Sequence, residues 1–163
     1  MLKIKVIYSC YYGCYFAVVA ASLHLGYINI DEYNKNDILR LQLFNKIRDN
    51  ELGKLFYLGI DNEGREVHVI GSRKSGKILE KTFKGIVEIY GFPKESVFFI
   101  DLNDCYSNLT LLGILMVRRL GLVEVGMRLV LRGIGNNFCK LKETVQKVRL
   151  CRFVKRDKLE VNR

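Results

Sequence analysis

The chain has 163 residues, 49% apolar and 27% charged, with a formal charge of +10. That length predicts one domain with its own core, and the composition excludes a fibrous or disordered chain. The longest apolar run, Leu109 to Val117, is far too short to span a bilayer, so no membrane span is expected.

The charge is unevenly placed. Residues 1–117 carry 14 Lys+Arg against 13 Asp+Glu, whereas residues 118–163 carry 13 against 4. A basic C-terminal stretch suits an acidic protein, a nucleic acid or an anionic surface, and alone it selects none of them. The five cysteines, Cys10, Cys14, Cys105, Cys139 and Cys151, are odd in number, and no secretory signal precedes them. Reduced thiols in a cytoplasmic protein are the expectation.

In chain order, Lys3–Tyr8 reads as a strand and Ser9–Gly13 as a loop. Cys14–Leu25 reads as a helix of small apolar residues capped by Gly26. Asn36 is positioned to N-cap a second helix ending at Phe44. Lys54–Ile60 and Glu66–Ile70 read as a hairpin around the turn Asp61-Asn62-Glu63-Gly64. Lys77–Tyr90 is expected to be an amphipathic helix. Ser96–Asp101 reads as a buried strand, and Asn108–Leu120 as a helix stopped by Gly121. Arg128–Arg132 reads as a further strand and Asn137–Val148 as a last helix. Strands alternating with helices imply an α/β fold. The expected form is a three-layer α/β/α sandwich, with a mostly parallel sheet of about five strands and one antiparallel hairpin edge. Residues 1–149 form the expected domain, and residues 150–163 a basic appendage.

Ligands of such sheets sit beyond the carboxyl ends of the strands. Four segments fall on that rim: Ser9–Phe16, Gly71–Lys77, Asp101–Asn108 and Gly133–Phe138. The second, Gly71-Ser72-Arg73-Lys74-Ser75-Gly76-Lys77, has the glycine and lysine spacing of a phosphate-cradling loop between strand and helix. The hydroxyl residue that would hold Mg²⁺ is missing, since Ile78 follows Lys77. A nucleotide or other phosphate is therefore the candidate ligand, and Mg²⁺ is disfavoured. Gly71, Ser72, Ser75, Gly76 and Lys77 are the candidate anion contacts, with Tyr11, Gly13, Asp101 and Asn108 lining the rim. An acid ending an apolar strand, as Asp101 does, also ends the strand that positions metal in nucleotide-binding loops.

Cys10, Cys14 and Cys105 are candidate thiol groups for catalysis. A helix N-terminus beside Cys14 is a setting that activates a thiol. No arginine stands six residues after either Cys10 or Cys14, which argues against a cysteine phosphatase. The cysteine spacing and only two histidines, His24 and His68, predict no metal site. Both histidines read as structural.

The stretch Ser9-Cys10-Tyr11-Tyr12-Gly13-Cys14-Tyr15-Phe16-Ala17, followed by Val18-Val19-Ala20-Ala21 and His24-Leu25-Gly26, resembles the opening of an uncharacterised domain family of endospore-forming Firmicutes. Its members carry His-Cys-Tyr-Gly-Gly-Thr-His-Ser-Ser after the first strand. Ser75-Gly76-Lys77, Cys105, Asn108 and Arg118-Arg119-Leu120-Gly121-Leu122-Val123 also match, so the resemblance covers residues 3 to about 148. It implies a cytosolic α/β domain and brings no reaction. Here Ser9 and Tyr15 replace both histidines of that loop, and Cys14, Phe16 and Ala17 replace its three hydroxyl residues. If that loop is the family's active site, this chain is an inactive relative.

Three readings of function follow. The chain binds a small anionic ligand at the glycine-rich loop. Alternatively, it is a non-catalytic interaction protein whose basic residues 118–163 meet an acidic partner or nucleic acid. The third reading is a thiol-dependent enzyme using Cys14.

Overall fold

The computed structural model describes residues 4–151. The start of the first expected strand at Lys3 and the residues 152–163 of the appendage lie outside them. The described elements are β1 (Lys5–Cys10), α1 (Phe16–Leu25), α2 (Lys35–Arg40), β2 (Leu55–Ile60), β3 (Glu66–Gly71), α3 (Gly76–Ile89), β4 (Val97–Asp101), α4 (Asn108–Arg119), α5 (Val123–Asn136) and α6 (Phe138–Leu150).

The fold is a mixed α/β one with a four-stranded open sheet in the order β2-β3-β1-β4. β1 pairs in parallel with both β3 and β4, and β2 closes one edge antiparallel to β3. The hairpin turn is made by Asp61, whose Oδ1 accepts from the Glu63 and Arg65 amides at 2.9 and 2.8 Å. Gly64 supplies the positive φ of 77° that the turn requires.

β1 is central, and its alternate residues serve two separate clusters. Val6, Tyr8 and Cys10 join a large core with α1, α5 and α6. Ile7 joins Ile70 and Val97 in a smaller one, packed against Leu79, Phe83 and Val87 of α3. α1 is buried on nearly every side, from Phe16 to His24. A helix apolar all round belongs inside a core, and Ala17, Ala20 and Ala21 are small enough to let it pack there.

The segment Arg128–Arg132 is helical, lying inside α5, so it adds no strand, and among the described residues the sheet has four. The buried residues Gly126, Val130, Gly133 and Ile134 recur at helical spacing, which a five-residue window conceals. Gly113 of α4 lets α5 approach: a β-carbon there would stand 2.7 Å from the Gly126 carbonyl oxygen and 2.8 Å from the Val130 amide nitrogen. Gly133–Phe138 is therefore a junction between helices and not the end of a strand. The second helix is shorter than expected and begins earlier. Asn34, not Asn36, caps it, its Oδ1 accepting from the Asn36 amide at 2.9 Å. Leu41 leaves helical geometry at ψ 137° and ends it.

Candidate functional site at the carboxyl ends of the strands

The loops after β1, β3 and β4 meet on one rim. Gly13, at φ 75°, is in van der Waals contact with β3: a β-carbon on it would lie 2.6 Å from the Gly71 amide nitrogen. The Ser72 and Arg73 amides donate to the Cys10 and Tyr11 carbonyls at 3.0 and 2.9 Å. Ser9 Oγ donates to Ser72 Oγ at 2.6 Å inside this joint. The Ser75 amide turns back onto the Ser72 carbonyl at 2.9 Å. The glycine-rich loop thus spends its early N–H groups on holding the rim together. Gly13, Gly71 and Ser72 are buried parts of that joint.

What stays open is a cleft of about 520 Å³ lined by Tyr11, Lys74, Lys77, Asp101, Asn103, Tyr106 and Leu111. The first amides of α3, from Gly76 and Lys77, have no partner among the described residues and lie at the positive end of the helix. Asp101 stands directly over Gly76, where a β-carbon would collide with its carboxylate. Its Oδ1 accepts from the Asn103 amide at 3.0 Å, and Asn103 Nδ2 donates to the Arg73 carbonyl at 3.0 Å. Arg73 is held at φ 48°, a left-handed conformation rare for a residue with a side chain. Lys74, Lys77 and Asp101 thus line one cleft beside the N-terminus of α3.

Of the residues singled out in the sequence, Tyr11, Lys77 and Asp101 line this cleft. Ser75 and Gly76 lie at the start of α3, and Asn108 is exposed at the start of α4, where Ser107 is the cap. Asn103 and Tyr106 fall inside the expected rim segment Asp101–Asn108 without being singled out there, and Leu111 lies outside it. A 3₁₀ turn over Asn103–Cys105 leads from β4 to α4, which carries Leu111.

Cys10, Cys14 and Cys105 are buried beside the joint, while Cys139 and Cys151 are exposed. Burial pushes the Cys14 thiol up to about 11, although the Arg118 guanidinium beside it pulls the other way. Burial likewise raises Cys105. Neither environment favours a thiolate at neutral pH. The Tyr106 hydroxyl is buried beside Cys10. Among the described residues no group of three His, Cys, Asp or Glu side chains is arranged to hold a metal ion.

Arg118 lies across the first loop. Its Nη2 donates to Cys14 Sγ at 3.1 Å and to the Ile47 carbonyl at 2.9 Å, and its Nη1 pairs with Asp49 at 2.5 Å. The guanidinium carbon sits 4.1 Å from the Tyr12 ring centroid, a cation–π contact. The other C-terminal cations are scattered: Lys142 pairs with Asp31 at 2.6 Å, and Lys140 donates to the Asp104 carbonyl at 3.1 Å.

At the opposite end of the sheet, His24 is buried in a polar chain. Its Nε2 is 2.9 Å from Asp61 Oδ2, and its Nδ1 is 2.7 Å from the Tyr8 hydroxyl. An ionised carboxylate only accepts, so Nε2 carries the proton and Nδ1 of the neutral ring accepts from Tyr8. Arg65 Nε also donates to Asp61, at 2.5 Å, and its Nη1 donates to the Val148 carbonyl at 3.1 Å. The chain ties the hairpin to α1 and α6 and is a structural tether, as the sequence suggests for His24.

The fold and cleft define a mixed α/β protein with an open cleft, part apolar and part charged, at the carboxyl ends of parallel strands. Over residues 5–150 the chain matches the model of a family described as "Protein of unknown function (DUF3189)", and it belongs to that family. No curated protein and no solved structure matches it. Among the described residues no helix is long and apolar enough to cross a membrane.

Proposed function

We propose that the cleft between α3 and α4 binds a small anionic ligand, a phosphate-bearing one, without Mg²⁺. The single observation that carries this reading is that Lys74 and Lys77 line a cleft beside the N-terminus of α3, whose Gly76 and Lys77 amides have no partner among the described residues. A helix N-terminus with free N–H groups favours a phosphate oxygen, and the ammonium groups add charge. Tyr11, Tyr106 and Leu111 offer flat apolar walls for the body of the ligand. Gly71 and Ser72 act in this reading by fixing the loop, not by touching the ligand. Ile78 is exposed on α3 and supplies no metal ligand.

The reading rests on a three-layer α/β/α domain, supported by the two clusters that β1 feeds. Its setting is the cytoplasm, supported by five free thiols. The test is a thermal-shift screen of nucleotides, sugar phosphates and simple anions on wild type and Lys77→Ala. A ligand at a hundred times its Kd adds about 2.7 kcal/mol and moves Tm by roughly 5–11 °C, and the shift disappears in the variant. Equal shifts in both proteins contradict the reading.

A further inference from the structure

Beside the cleft lies a second groove of about 590 Å³, with Tyr12, Ile114 and Leu115 in its walls and Arg119 among its lining. Tyr11 and Leu111 line both, so groove and cleft are continuous. Leu111 and Leu115 are one helical turn apart on α4, and each is 49% exposed. The other side of α4 is sealed by the contact of Gly113 with α5. Apolar surface continues onto the α4–α5 turn, where Leu120, Leu122 and Val123 are all more than half exposed. Leucine side chains gathered in this way on a soluble surface mark an interaction site.

Charge selects the occupant. Two arginines, Arg118 and Arg119, line the groove, and no acidic residue does. Arg118 is paired with Asp49, whereas Arg119 is exposed and forms no ion pair among the described residues. Lys74 and Lys77 stand at the far end of the continuous groove. A second copy of the chain brings the same sign to the contact. Residues 152–163 do too, with five Lys+Arg against two Asp+Glu. A bilayer offers the right sign but the wrong shape, because it is flat and the groove is walled by Tyr11, Tyr12 and Leu115. A helix with an apolar stripe fills a groove of this kind, and acidic flanks match its margins.

We propose that the α4 groove docks an amphipathic helix of a partner protein, apolar on one face and rich in Asp and Glu beside it. The groove shares Tyr11 and Leu111 with the anion cleft, but Leu115 and Arg119 line the groove alone, so variants there test docking apart from the small-ligand reading. The test uses the full chain and a fluorescent helical peptide with leucines on one face and glutamates elsewhere. The same peptide with lysines is the control. Wild type is expected to bind the glutamate peptide and not the lysine one, more weakly as salt rises. Leu115→Asp and Arg119→Glu are both at exposed positions, and each is expected to weaken binding about tenfold or more with Tm unchanged. Binding both peptides equally, or neither, overturns the proposal. So does binding only to anionic phospholipid vesicles, or a dimer in sedimentation that Leu115→Asp dissolves.

Discussion

Gly13 and Gly71 meet backbone to backbone at the head of the sheet, with room for no β-carbon between them. Gly13→Ala puts a methyl 2.6 Å from the Gly71 nitrogen, on a residue at φ 75°. The strained backbone and the overlap together predict a loss of about 2–4 kcal/mol in urea unfolding. Gly85, inside α3 and facing open space, is the control. Gly85→Ala is expected to stabilise by about 0.5–1 kcal/mol through helix propensity.

Arg118→Ala removes the donors to Cys14 and the Ile47 carbonyl and the cover over Tyr12. Charged hydrogen bonds of this kind predict a loss of about 2–3 kcal/mol. Asp49→Ala breaks the ion pair only, and Asp49 is 64% exposed. It is expected to lose less than about 1 kcal/mol. Chemical denaturation of the two variants separates these outcomes, and equal losses contradict the assignment of Arg118 as a packing residue.

The thiols give a count. In the native protein a disulfide reagent at neutral pH is expected to titrate Cys139 and Cys151 quickly, both being exposed. Cys10, Cys14 and Cys105 are expected to react only after denaturant is added. A fast third thiol mapped to Cys14 would revive the thiol-enzyme reading.

Stability is expected to fall on acidification in two stages. Burial first, and then the Arg65 and Arg149 charges, hold His24 below its usual 6.5 against the pull of Asp61. Burial and Lys5 lower His68 in the same sense. The unfolded chain therefore binds more protons just below pH 6.5, and stability that is full above 6.5 declines below it. Burial pushes the Asp61 carboxyl up. The Arg65 amide, His24 and the Arg65 guanidinium together outweigh it and hold the group below 3.8. Its contribution is full above about 3.8 and is lost as the pH falls further. Urea unfolding from pH 8 to 3 reads both stages. The double variant His24→Gln with His68→Asn is expected to abolish the first and keep the second.

Much of the fold was legible because its strands are short, apolar and punctuated. β1, the β2–β3 hairpin and β4 fall close to where alternation and the turn at Gly64 place them. Arg128–Arg132 misled because a brief apolar run does not separate strand from helix. The signal that separates them is Gly126 and Gly133, seven residues apart and each pressed against α4. Rim position identified Tyr11, Lys77 and Asp101. Its segment Asp101–Asn108 spans Tyr106 without singling it out, and Leu111, on α4, lies outside all four segments. Nor does the pair Arg118-Arg119 announce that one guanidinium turns inward over Tyr12 while the other faces solvent. That division depends on where α4 lands.

Asp101 offers a test of sign. Its carboxylate faces the same mouth as Lys74 and Lys77, so it opposes a bare anion. Asp101→Asn keeps an acceptor for the Asn103 amide and removes the charge. Phosphate affinity by calorimetry is expected to rise about fivefold, the size of one unscreened unit charge about 4 Å away in water. A fall in affinity would mean that Asp101 itself holds the ligand, through a proton or a cation.

The most direct measurement is an amide-resolved NMR titration with inorganic phosphate and pyrophosphate at low salt. The account predicts saturable shifts largest at Lys74, Gly76 and Lys77, and small ones at Ser72 and Arg73, whose amides are committed to Cys10 and Tyr11. It also predicts that Lys74→Ala with Lys77→Ala abolishes them. Absence of a saturable shift with either anion, or the same shifts in the double variant, would contradict the claim that this cleft is an anion site.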